Sequence, residues 1–370
     1  MRPAVPDTLP LTDLDWKPLI RLMGQANRAL STYNGVLYGI PNPGVLLSPL
    51  TTQEAVLSSR IEGTLATLGE VLQYEAGQAP AEESRRLDIQ EIMNYRTAMV
   101  AAEHELERRP FCLNLLKQLH GILLAGVRGQ DKARGRFRSM QNWIGRPGSP
   151  IEKADFVPPD PLHLMKHLDN WEKYYHHDEE DPIVQLAVLH AQFEIIHPFM
   201  DGNGRLGRMI IPLFLHEKGL LSHPTFYMSA YFEEHRDVYV DHLRGLTTEA
   251  GAWNRWVAFF LTALTEQARV NSQKARQIIE LYDRLKEEVI EATHSQYAVP
   301  LLDYFFAQPV LQSSSLDNRP NLPGKGTKHA LLTKLVNAKI LKVGREAAGR
   351  RSQILVLPSL INLCEGKEVF

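Results

Sequence analysis

The feature that most constrains this chain is a short turn whose sequence, from residue 197 to residue 208, reads HPFMDGNGRLGR. Before it, Ile183 to Ile196 is apolar around nearly its whole circumference, which indicates a buried central helix. Asp181 and Pro182 precede that helix and are typical of an N-cap and a first helical position. The chain is therefore predicted to place His197 at the C-terminal end of a core helix.

The turn also has the features of an anion-binding site. Pro198 helps to end the first helix, and Gly202-Asn203-Gly204 tolerates positive φ, so the backbone can form a concavity with its N–H groups inward. A second helix is predicted over residues 205–218, ended by Gly219. The turn then lies at a helix N-terminus, where free N–H groups and partial positive charge favour phosphate.

The charged residues of the turn extend this binding site to a reaction site. Arg205 and Arg208 are three residues apart on one helical face and offer two forked donors. Asp201 is a natural ligand for Mg²⁺, which usually takes one or two carboxylates together with substrate phosphate oxygens. His197, with a reference pKa of about 6.5, can accept a proton from an attacking hydroxyl near neutral pH. Transfer of a phosphorus-centred group is the predicted reaction.

The segment from His197 to Arg208 resembles the signature of the Fic family, His-Pro-Phe-x-Asp/Glu-Gly-Asn-Gly-Arg-x-x-Arg, with every defining position present. Members of that family typically transfer AMP from ATP to a protein hydroxyl. The resemblance implies a mainly α fold, a Fic-type helical bundle with a β-hairpin flap. To this the sequence adds a small C-terminal α+β domain like a winged helix.

The resemblance also implies a role for each residue of the turn. His197 is the base that deprotonates a Ser, Thr or Tyr of the target protein, and Asp201 holds the Mg²⁺ that bridges the α- and β-phosphates. Gly202, Asn203 and Gly204 form the anion hole. Arg205 binds phosphate and Arg208 reaches the γ-phosphate.

A second motif lies ahead of the signature, in a helix predicted over about residues 48–63 that Gly63 ends. Ser58-x-x-x-Glu62-Gly63 is similar to the inhibitory motif of the same family, and Ser58 and Glu62 share one helical face. The implied mechanism is that Glu62 pairs with Arg208 and occupies the place of the γ-phosphate. The alternative is an ordinary surface glutamate near a helix end.

Residues 134–158 alternate like strands around a Gly/Pro-rich turn and predict a β-hairpin. In the family a hairpin flap docks the target protein by strand addition, which implies docking through Asn142, Trp143, Ile144, Asp155, Phe156 and Val157. A hairpin that only covers the edge of the core is the alternative. The basic residues Arg134, Arg136 and Arg138 are expected to form a solvated face.

In the family, an aromatic pair followed by an apolar residue sandwiches adenine after the signature. The matching positions here are Tyr239, Val240 and Leu243, so the second aromatic residue is missing. This departure leaves the base of the nucleotide less defined than the phosphate chemistry. His120, on an apolar stripe upstream, is predicted to be a packing residue.

The last segment, from about residue 298, has a different pattern. Helices are predicted over 299–307 and 327–338, and strands over 340–343 and 352–357, in an arrangement similar to a winged helix. Residues 319–351 contain nine Lys or Arg against one acid, Glu346, although the whole chain has a net charge of −2. DNA binding and protein docking or dimerisation are both open for this region.

Length and composition set the remaining limits. The 370 residues, 44% of them apolar, allow a sizeable core in two or three units. We expect an N-terminal helical region over 1–110, a catalytic core over 111–297 and the C-terminal domain over 298–370. Cys112 and Cys364 are too far apart in sequence to indicate a disulfide framework or a zinc site. No membrane span and no signal peptide are recognisable, so a cytoplasmic protein is expected.

The sequence therefore predicts a protein adenylyltransferase that uses ATP and Mg²⁺, modifies a target protein or itself, and is restrained by Glu62. Two alternatives remain. One is another phosphorus transfer at the same turn, such as removal of AMP; Gly204 argues against the kinase-like relatives, which commonly carry Lys there. The other is a DNA-binding transcription regulator whose nucleotide site is a sensor. The target, the hydroxyl and the oligomeric state, including a homodimer, are left open.

Overall fold

The structure is a computed structural model that describes residues 2–40, 42–129, 131–146, 148–349 and 351–370. It is mainly helical, as the sequence predicted. The first helices are α1 (Ile20–Tyr38), α2 (Pro43–Leu46), α3 (Ser48–Ile61), α4 (Leu68–Glu75), α5 (Glu83–Leu106), α6 (Leu113–Leu123), α7 (Leu164–Tyr175) and α8 (Pro182–Ile196). They are followed by α9 (Asn203–Glu217), α10 (Ser229–Glu234), α11 (Arg236–Gly245), α12 (Ala252–Thr293), α13 (Ala298–Ala307), α14 (Lys325–Asn337) and α15 (Pro358–Glu365).

The chain divides into two compact units that are each assembled from separate stretches of sequence. Unit 1 contains Met1–Asn34, Leu57–Gly63 and Met93–Arg269. Unit 2 contains Gly35–Val56, Thr64–Ile92 and Val270–Phe370. The sequence expected contiguous domains, and the boundaries it gave stay a prediction.

The centre of unit 1 is the pair α8 and α9. Asp181 caps α8, because its carboxylate accepts from the backbone N–H groups of Ile183 and Val184 at 2.8 and 3.0 Å. Thirteen of the fifteen residues of α8 are buried, and each buried Leu, Ile or Val contributes about 1.5–3 kcal/mol to folding. Trp171 and Trp256 donate their indole N–H groups to carbonyls of α8, at 2.9 and 2.8 Å. The helix that ends at the turn is therefore fixed on several sides.

Helix α9 begins at Asn203, two residues earlier than the sequence predicted. Gly202 takes the N-cap position with φ of 76°, a conformation that glycine adopts without steric cost. The cap leaves the first N–H groups of α9 without partners inside the helix. Those groups lie in the turn that the sequence singled out.

Unit 2 contains a three-stranded antiparallel sheet with the order β1 (Val310–Gln312), β3 (Ile354–Val356), β2 (Lys342–Arg345). Val310 pairs with Val356, and Val343 with Leu355. The predicted helices and strands of this region correspond to α13, α14, β2 and β3, whereas the sequence did not predict β1. The winged-helix description as a whole stays a prediction. No helix among the described residues has both the length and the apolar character that crossing a membrane requires.

Candidate active site

His197 directly follows α8 and takes the left-handed conformation, with φ of 48° and ψ of 60°. This conformation is uncommon for residues other than glycine and costs about 1–3 kcal/mol. Two hydrogen bonds hold it: the His197 N–H donates to the Phe193 carbonyl at 3.0 Å, and the His197 carbonyl accepts from Arg138 Nε at 2.9 Å. The chain turns sharply at this residue and directs the imidazole into the site.

Arg138 was expected on a solvated face, and that prediction is wrong, because its side chain is only 3% exposed. The guanidinium also donates to the carbonyls of Pro159 and Ile196, at 2.6 and 3.3 Å. The last carbonyls of a helix have no partner within it, so a charged donor at the end of α8 satisfies them. Burial lowers the pKa of Arg138 to about 10, with the charge of Asp160 opposing the shift, and the group stays cationic at neutral pH.

The imidazole of His197 is neutral at neutral pH. Burial lowers its pKa to about 4, while the Glu194 backbone and the carboxylates of Glu62 and Asp201 oppose that shift. Nδ1 is buried and has no hydrogen-bond partner among the described residues, whereas the ring itself lines the cavity described below. Nε2 is therefore the nitrogen left to accept a proton.

The turn between α8 and α9 is closed by side-chain bonds to its own backbone. The Asn203 amide accepts from the Phe199 N–H and donates to the Phe199 carbonyl, both at 2.8 Å. His120 accepts from the Gly135 N–H through Nδ1 at 2.8 Å, so its Nε2 donates to the Asp201 carbonyl at 3.1 Å. His120 also stacks on Phe199, with 3.9 Å between ring centroids. It is a packing residue, as the sequence predicted, and it supports the turn.

Arg208 is held by one residue of α3, Ser58, and by Glu62, the residue directly after that helix. It is 1% exposed. Its Nε donates to Ser58 Oγ at 3.0 Å, and its Nη2 donates to the Ser58 carbonyl at 2.8 Å and to Glu62 Oε1 at 2.7 Å. Burial alone would raise the pKa of Glu62, but the charge and hydrogen bond of Arg208 outweigh it and lower the pKa. The structure thus brings Ser58 and Glu62 into contact with Arg208, which lies 150 and 146 residues further along the chain.

The carboxylate of Glu62 also occupies the anion cradle at the start of α9. A Cβ placed on Gly204 would lie 2.2 Å from Glu62 Oε1, so the carboxylate fills space that only a glycine at this position leaves. The Glu62 side chain is 41% exposed and lines the cavity described below. A negative group therefore already sits where the helix N-terminus and Arg208 favour one.

Asp201 lies on the other side of the turn and is one-third exposed. Its Oδ1 accepts from the Gly202 N–H at 2.7 Å and lies 3.7 Å from Arg205 Nη2, and its Oδ2 lies 3.4 Å from Lys132 Nζ. Among the described residues, no group of three or more His, Cys, Asp or Glu could hold a metal alone. Asp201 can offer one carboxylate to a cation that takes its other ligands from a bound phosphate.

A cavity of about 570 Å³ joins these groups, within the range of small-molecule sites. Its lining includes Glu62, Trp143, Ile144, Phe156, Glu194, His197, Asp201, Gly202, Asn203, Gly204, Arg208, Arg236, Tyr239, Val240, Leu243 and Arg244. The three residues expected at adenine are thus present. Tyr239 is nearly buried, and its hydroxyl donates to His190 Nε2 at 3.0 Å, because His190 Nδ1 donates to the Gly207 carbonyl. Val240 and Leu243 offer the apolar surface.

The predicted hairpin is reduced to one antiparallel bridge between Ile144 and Phe156, without a strand ladder. The Ile144 N–H donates to the Phe156 carbonyl at 2.8 Å, and the Phe156 N–H donates back at 3.1 Å. Trp143 and Ile144 are 43% and 41% exposed, so they offer apolar surface at the cavity. We call residues 142–157 the flap from here on, excluding Pro147, which lies outside the described residues.

The other predicted flap residues have different surroundings. Asn142 is buried and donates to the Phe199 carbonyl at 3.0 Å, so its amide faces the turn. Val157 is buried, and its carbonyl accepts from the Ala4 N–H at 2.8 Å. Asp155 Oδ2 lies 3.5 Å from Arg244 Nη2. The part of the flap that is free to meet another molecule is centred on Trp143 and Ile144.

Sequence reasoning missed four residues of this site: Arg138, Glu194, Arg236 and Arg244. Glu194 had a signal, because it is the only charged residue in the apolar run before the turn. The other three follow from tertiary folding alone. Arg236 donates to the Ile61 carbonyl at 3.4 Å and thereby contacts the end of α3.

Comparison with known proteins gives consistent results. Residues 20–104 match the Fic/DOC family N-terminal model, and residues 110–215 match the Fic/DOC family model. A probable protein adenylyltransferase of Aquifex aeolicus is 39% identical over 72 residues, which are 19% of this chain and 22% of that protein. Protein adenylyltransferase fic-1 of Caenorhabditis elegans is 31% identical over 88 residues, which are 23% of this chain and 16% of that protein. Both matches thus span less than a quarter of the relatives.

A solved structure matches over almost the whole length. The crystal structure of a Fic family protein from Desulfovibrio desulfuricans superposes with a TM-score of 0.59 and 19% identity, covering 96% of this chain and 98% of that one. At this identity the match concerns the fold.

Proposed function

Because this chain belongs to the Fic/DOC family, we propose that it is a protein adenylyltransferase that transfers AMP from ATP to a hydroxyl of a target protein. One observation carries the proposal: His197, Asp201 and the first residues of α9, together with Arg208, line a single cavity. A base, a metal-binding acid and an anion cradle are the groups that phosphoryl transfer requires, since its catalysis is mostly positioning and charge stabilisation.

The reaction follows from this arrangement. The neutral imidazole of His197 accepts the proton of a Ser, Thr or Tyr hydroxyl. The hydroxyl oxygen forms a bond to the α-phosphorus, and the bond from that phosphorus to the bridging oxygen breaks. Pyrophosphate leaves with the bonding electrons. The N–H groups at the start of α9, together with Arg205 and Arg208, stabilise the charge on the phosphates.

The residues present fit Mg²⁺ as the cofactor. Asp201 offers one accessible carboxylate at the rim of the cavity, and Lys132, with its ammonium group 3.4 Å from it, is exposed and able to move away. Mg²⁺ usually takes one or two carboxylates and completes its shell with phosphate oxygens and water. When bound, the cation neutralises charge on the phosphates.

The resting protein is proposed to be inhibited by Glu62. Its carboxylate holds Arg208 and fills the space above Gly204, so the γ-phosphate of ATP meets a negative group where it needs a positive one. Arg208 is buried but Glu62 is partly exposed, so the pair contributes less than the about 2–5 kcal/mol of a fully buried charge pair. A tenfold change in nucleotide affinity needs only about 1.4 kcal/mol. Activation then requires that Glu62 leave the cradle.

The target segment is proposed to dock on the flap. The single bridge between Ile144 and Phe156 leaves most backbone groups of residues 142–145 free for an added strand. Trp143 and Ile144 border the same cavity as His197, so a docked hydroxyl comes close to the base. Strand addition uses backbone bonds and tolerates many target sequences.

ATP labelled at the α-phosphate tests the function. The full chain is incubated with labelled ATP and Mg²⁺ as wild type, as Glu62→Gly and as Glu62→Gly with His197→Ala. We expect label on the protein itself or on a partner to rise with Glu62→Gly and to disappear with the added His197→Ala. Nucleotide binding should persist in both variants.

Three results would contradict the proposal. Label that persists after His197→Ala would show that His197 is not the general base. Label from the γ-phosphate would indicate phosphorylation, and loss of AMP from a premodified partner would indicate the reverse reaction. Mass spectrometry of the labelled peptide identifies the hydroxyl.

DNA binding by the region from 298 on is the second candidate. The exposed face of α14 carries His329, Thr333 and Asn337, which are short polar side chains able to approach base edges. Lys328 does not contribute, because it is buried and pairs with Asp317. Protein docking remains the competing role of this surface.

A salt titration in a gel-shift assay decides between them. Wild-type protein and the exposed-site variants Lys325→Glu and Lys342→Glu are compared on random duplexes. If DNA is the partner, each reversal weakens binding and reduces the salt slope by about one. Equal binding by all three proteins would leave protein docking or dimerisation as the role of this region. Light scattering measures dimerisation.

A cytoplasmic location stays a prediction.

A further inference from the structure

Glu194 is a partly buried acid at the nucleotide cavity for which the proposed reaction has no use. It lies on α8, one turn before His197, and lines the same cavity as Arg208. Its Oε1 is buried and has no hydrogen-bond partner among the described residues. A buried carboxyl oxygen without a hydrogen-bond partner destabilises the protein. Binding a ligand or a proton at this side chain would remove that cost.

The carboxyl of Glu194 has a defined seat against α9. A Cβ on Gly207 would lie 2.3 Å from Glu194 Oε1 and 3.2 Å from its Cδ. The missing side chain at Gly207 therefore creates the space that the carboxyl fills. This seat adjoins Arg208, whose Nε and Nη2 already donate to Ser58 and Glu62.

Several charged or titratable groups surround this seat. Glu62 after α3, Arg208 on α9, Arg236 and Tyr239 on α11, and His197 on α8 line the same cavity as Glu194, and His190 on α8 contacts Tyr239. Burial raises the pKa of Glu194 to about 7, with Arg208 opposing the shift and Glu62 adding to it. Burial also lowers the pKa of His190 to about 3 and of His197 to about 4, so both rings are neutral near pH 7.

We infer that Glu194 takes part in nucleotide binding as a neutral carboxylic acid, so that each triphosphate bound in this cavity brings one proton onto its carboxyl. The inference rests on the proposed nucleotide site. A triphosphate carries more negative charge than the single carboxylate of Glu62 that it displaces, and an ionised Glu194 would be repelled by it. The protonated form instead offers an O–H donor to a phosphate oxygen. Solvent supplies the proton, and no covalent bond changes.

Calorimetry measures this coupling directly. Binding of ATP with Mg²⁺ to the full-length Glu62→Gly protein is followed at pH 8 in two buffers of different ionisation enthalpy. The Glu62→Gly change removes one cause of the raised pKa of Glu194, so Glu194 is at least about nine-tenths ionised at pH 8. Binding should therefore take up about one more proton in this protein than after the additional Glu194→Gln change. ATP affinity should also fall about tenfold more between pH 6 and pH 8 when Glu194 is present.

The comparison between variants is needed because the γ-phosphate of ATP titrates in the same range. Glu194→Ala is a second variant that should remove the proton uptake, and Glu280→Gln, at an exposed site on α12, should leave it unchanged. Equal proton counts with and without Glu194 would overturn the inference. Failure of the Glu62→Gly protein to bind ATP would overturn both this inference and the proposed function. Proton uptake without AMP transfer would support the protonation of Glu194 on nucleotide binding and contradict only the transfer activity.

Discussion

The turn at residues 197–208 and the flap lie on the same cavity but are built in opposite ways. In the turn, the side chain of Asn203 and the carbonyl of Asp201 are tied to neighbouring groups by hydrogen bonds of 2.8–3.1 Å. The flap has one bridge, at Ile144 and Phe156. The groups of the turn are already bonded to one another, whereas most backbone groups of the flap are left for the target segment that we propose to dock there.

The turn and the flap should therefore respond differently to substitution. Substitutions in the turn should alter the chemical step or the stability of the fold, because its groups are already committed to each other. Substitutions in the flap should alter the concentration of target protein that is needed.

Replacing His197 with Ala should have the largest effect. General base catalysis contributes about 10²–10⁴-fold, so AMP transfer by the Glu62→Gly protein should fall by at least that factor. Nucleotide affinity should stay within a few-fold, which equilibrium binding measures. A loss of nucleotide binding equal to the loss of rate would show that the residue builds the turn instead of reacting.

Replacing Arg138 with Met should destabilise the turn. Several charge-assisted hydrogen bonds are lost, each of about 1.5–3 kcal/mol, and the carbonyls at the end of α8 stay buried. We expect the free energy of unfolding to fall by roughly 3 kcal/mol, measured by denaturant titration. Arg136→Met, at a neighbouring exposed site, is the control. Equal stability of the two variants would mean that Arg138 does not hold the turn.

Replacing Glu62 with Gly should raise ATP affinity by about tenfold, a moderate value because the side chain is partly exposed within the cavity. Glu62→Gln keeps the shape and loses the charge, so it should give an intermediate gain. Glu103→Gly, at a distant site of α5, should leave the ATP affinity unchanged. Weaker binding by Glu62→Gly would mean that Glu62 supports the nucleotide site instead of blocking it.

Replacing Ile144 with Pro removes the N–H that bonds to Phe156 and should disorder the flap. The KM for the target protein should rise a few-fold while ATP affinity is unchanged. Ile144→Ala keeps the backbone bond and serves as the control for lost apolar surface. If kcat falls while KM is unchanged, the flap acts in the chemical step, as the turn does, and the proposed difference between the two regions is wrong.

The smallest effect should be that of pH on the base. The pKa of His197 lies near 4, and a general base acts in its neutral form, so its contribution to the rate is full above about pH 5 and declines as pH falls through 4. The His197-dependent rate should therefore be flat between pH 6 and 8. A rate that rises through pH 6.5 would show a solvated imidazole. The Glu62→Gly, Glu194→Gln protein is suited to this measurement because its second acid is removed.

The turn could be predicted from sequence because its residues are consecutive and each has a local reason. Pro198 ends a helix and Gly202 caps the next one at positive φ. Ser58 and Glu62 could be paired with Arg208 only through the family resemblance, since 146 residues separate the two charges. The predicted bounds of α3, α8, α9, α13 and α14 agree with the structure to within two residues.

The rest of the site depends on tertiary contacts that no local pattern reveals. Arg138 alternates with two other arginines, and only the position of α8 decides that it is buried. The flap residues have strand-like alternation, but short segments beside a Gly/Pro turn do not specify a ladder. Glu194 was visible as a lone charge in an apolar helix, and its seat on Gly207 was not.

The order of these segments along the chain has a consequence for synthesis. Glu62 leaves the ribosome well before residues 197–208, and domains form as their residues emerge. When α9 first docks against α8, the carboxylate that fills the space above Gly204 is already present. Under the proposed inhibition, Glu62 is therefore available to close the anion cradle from the moment the cradle forms, because it is made before the residues that it would block.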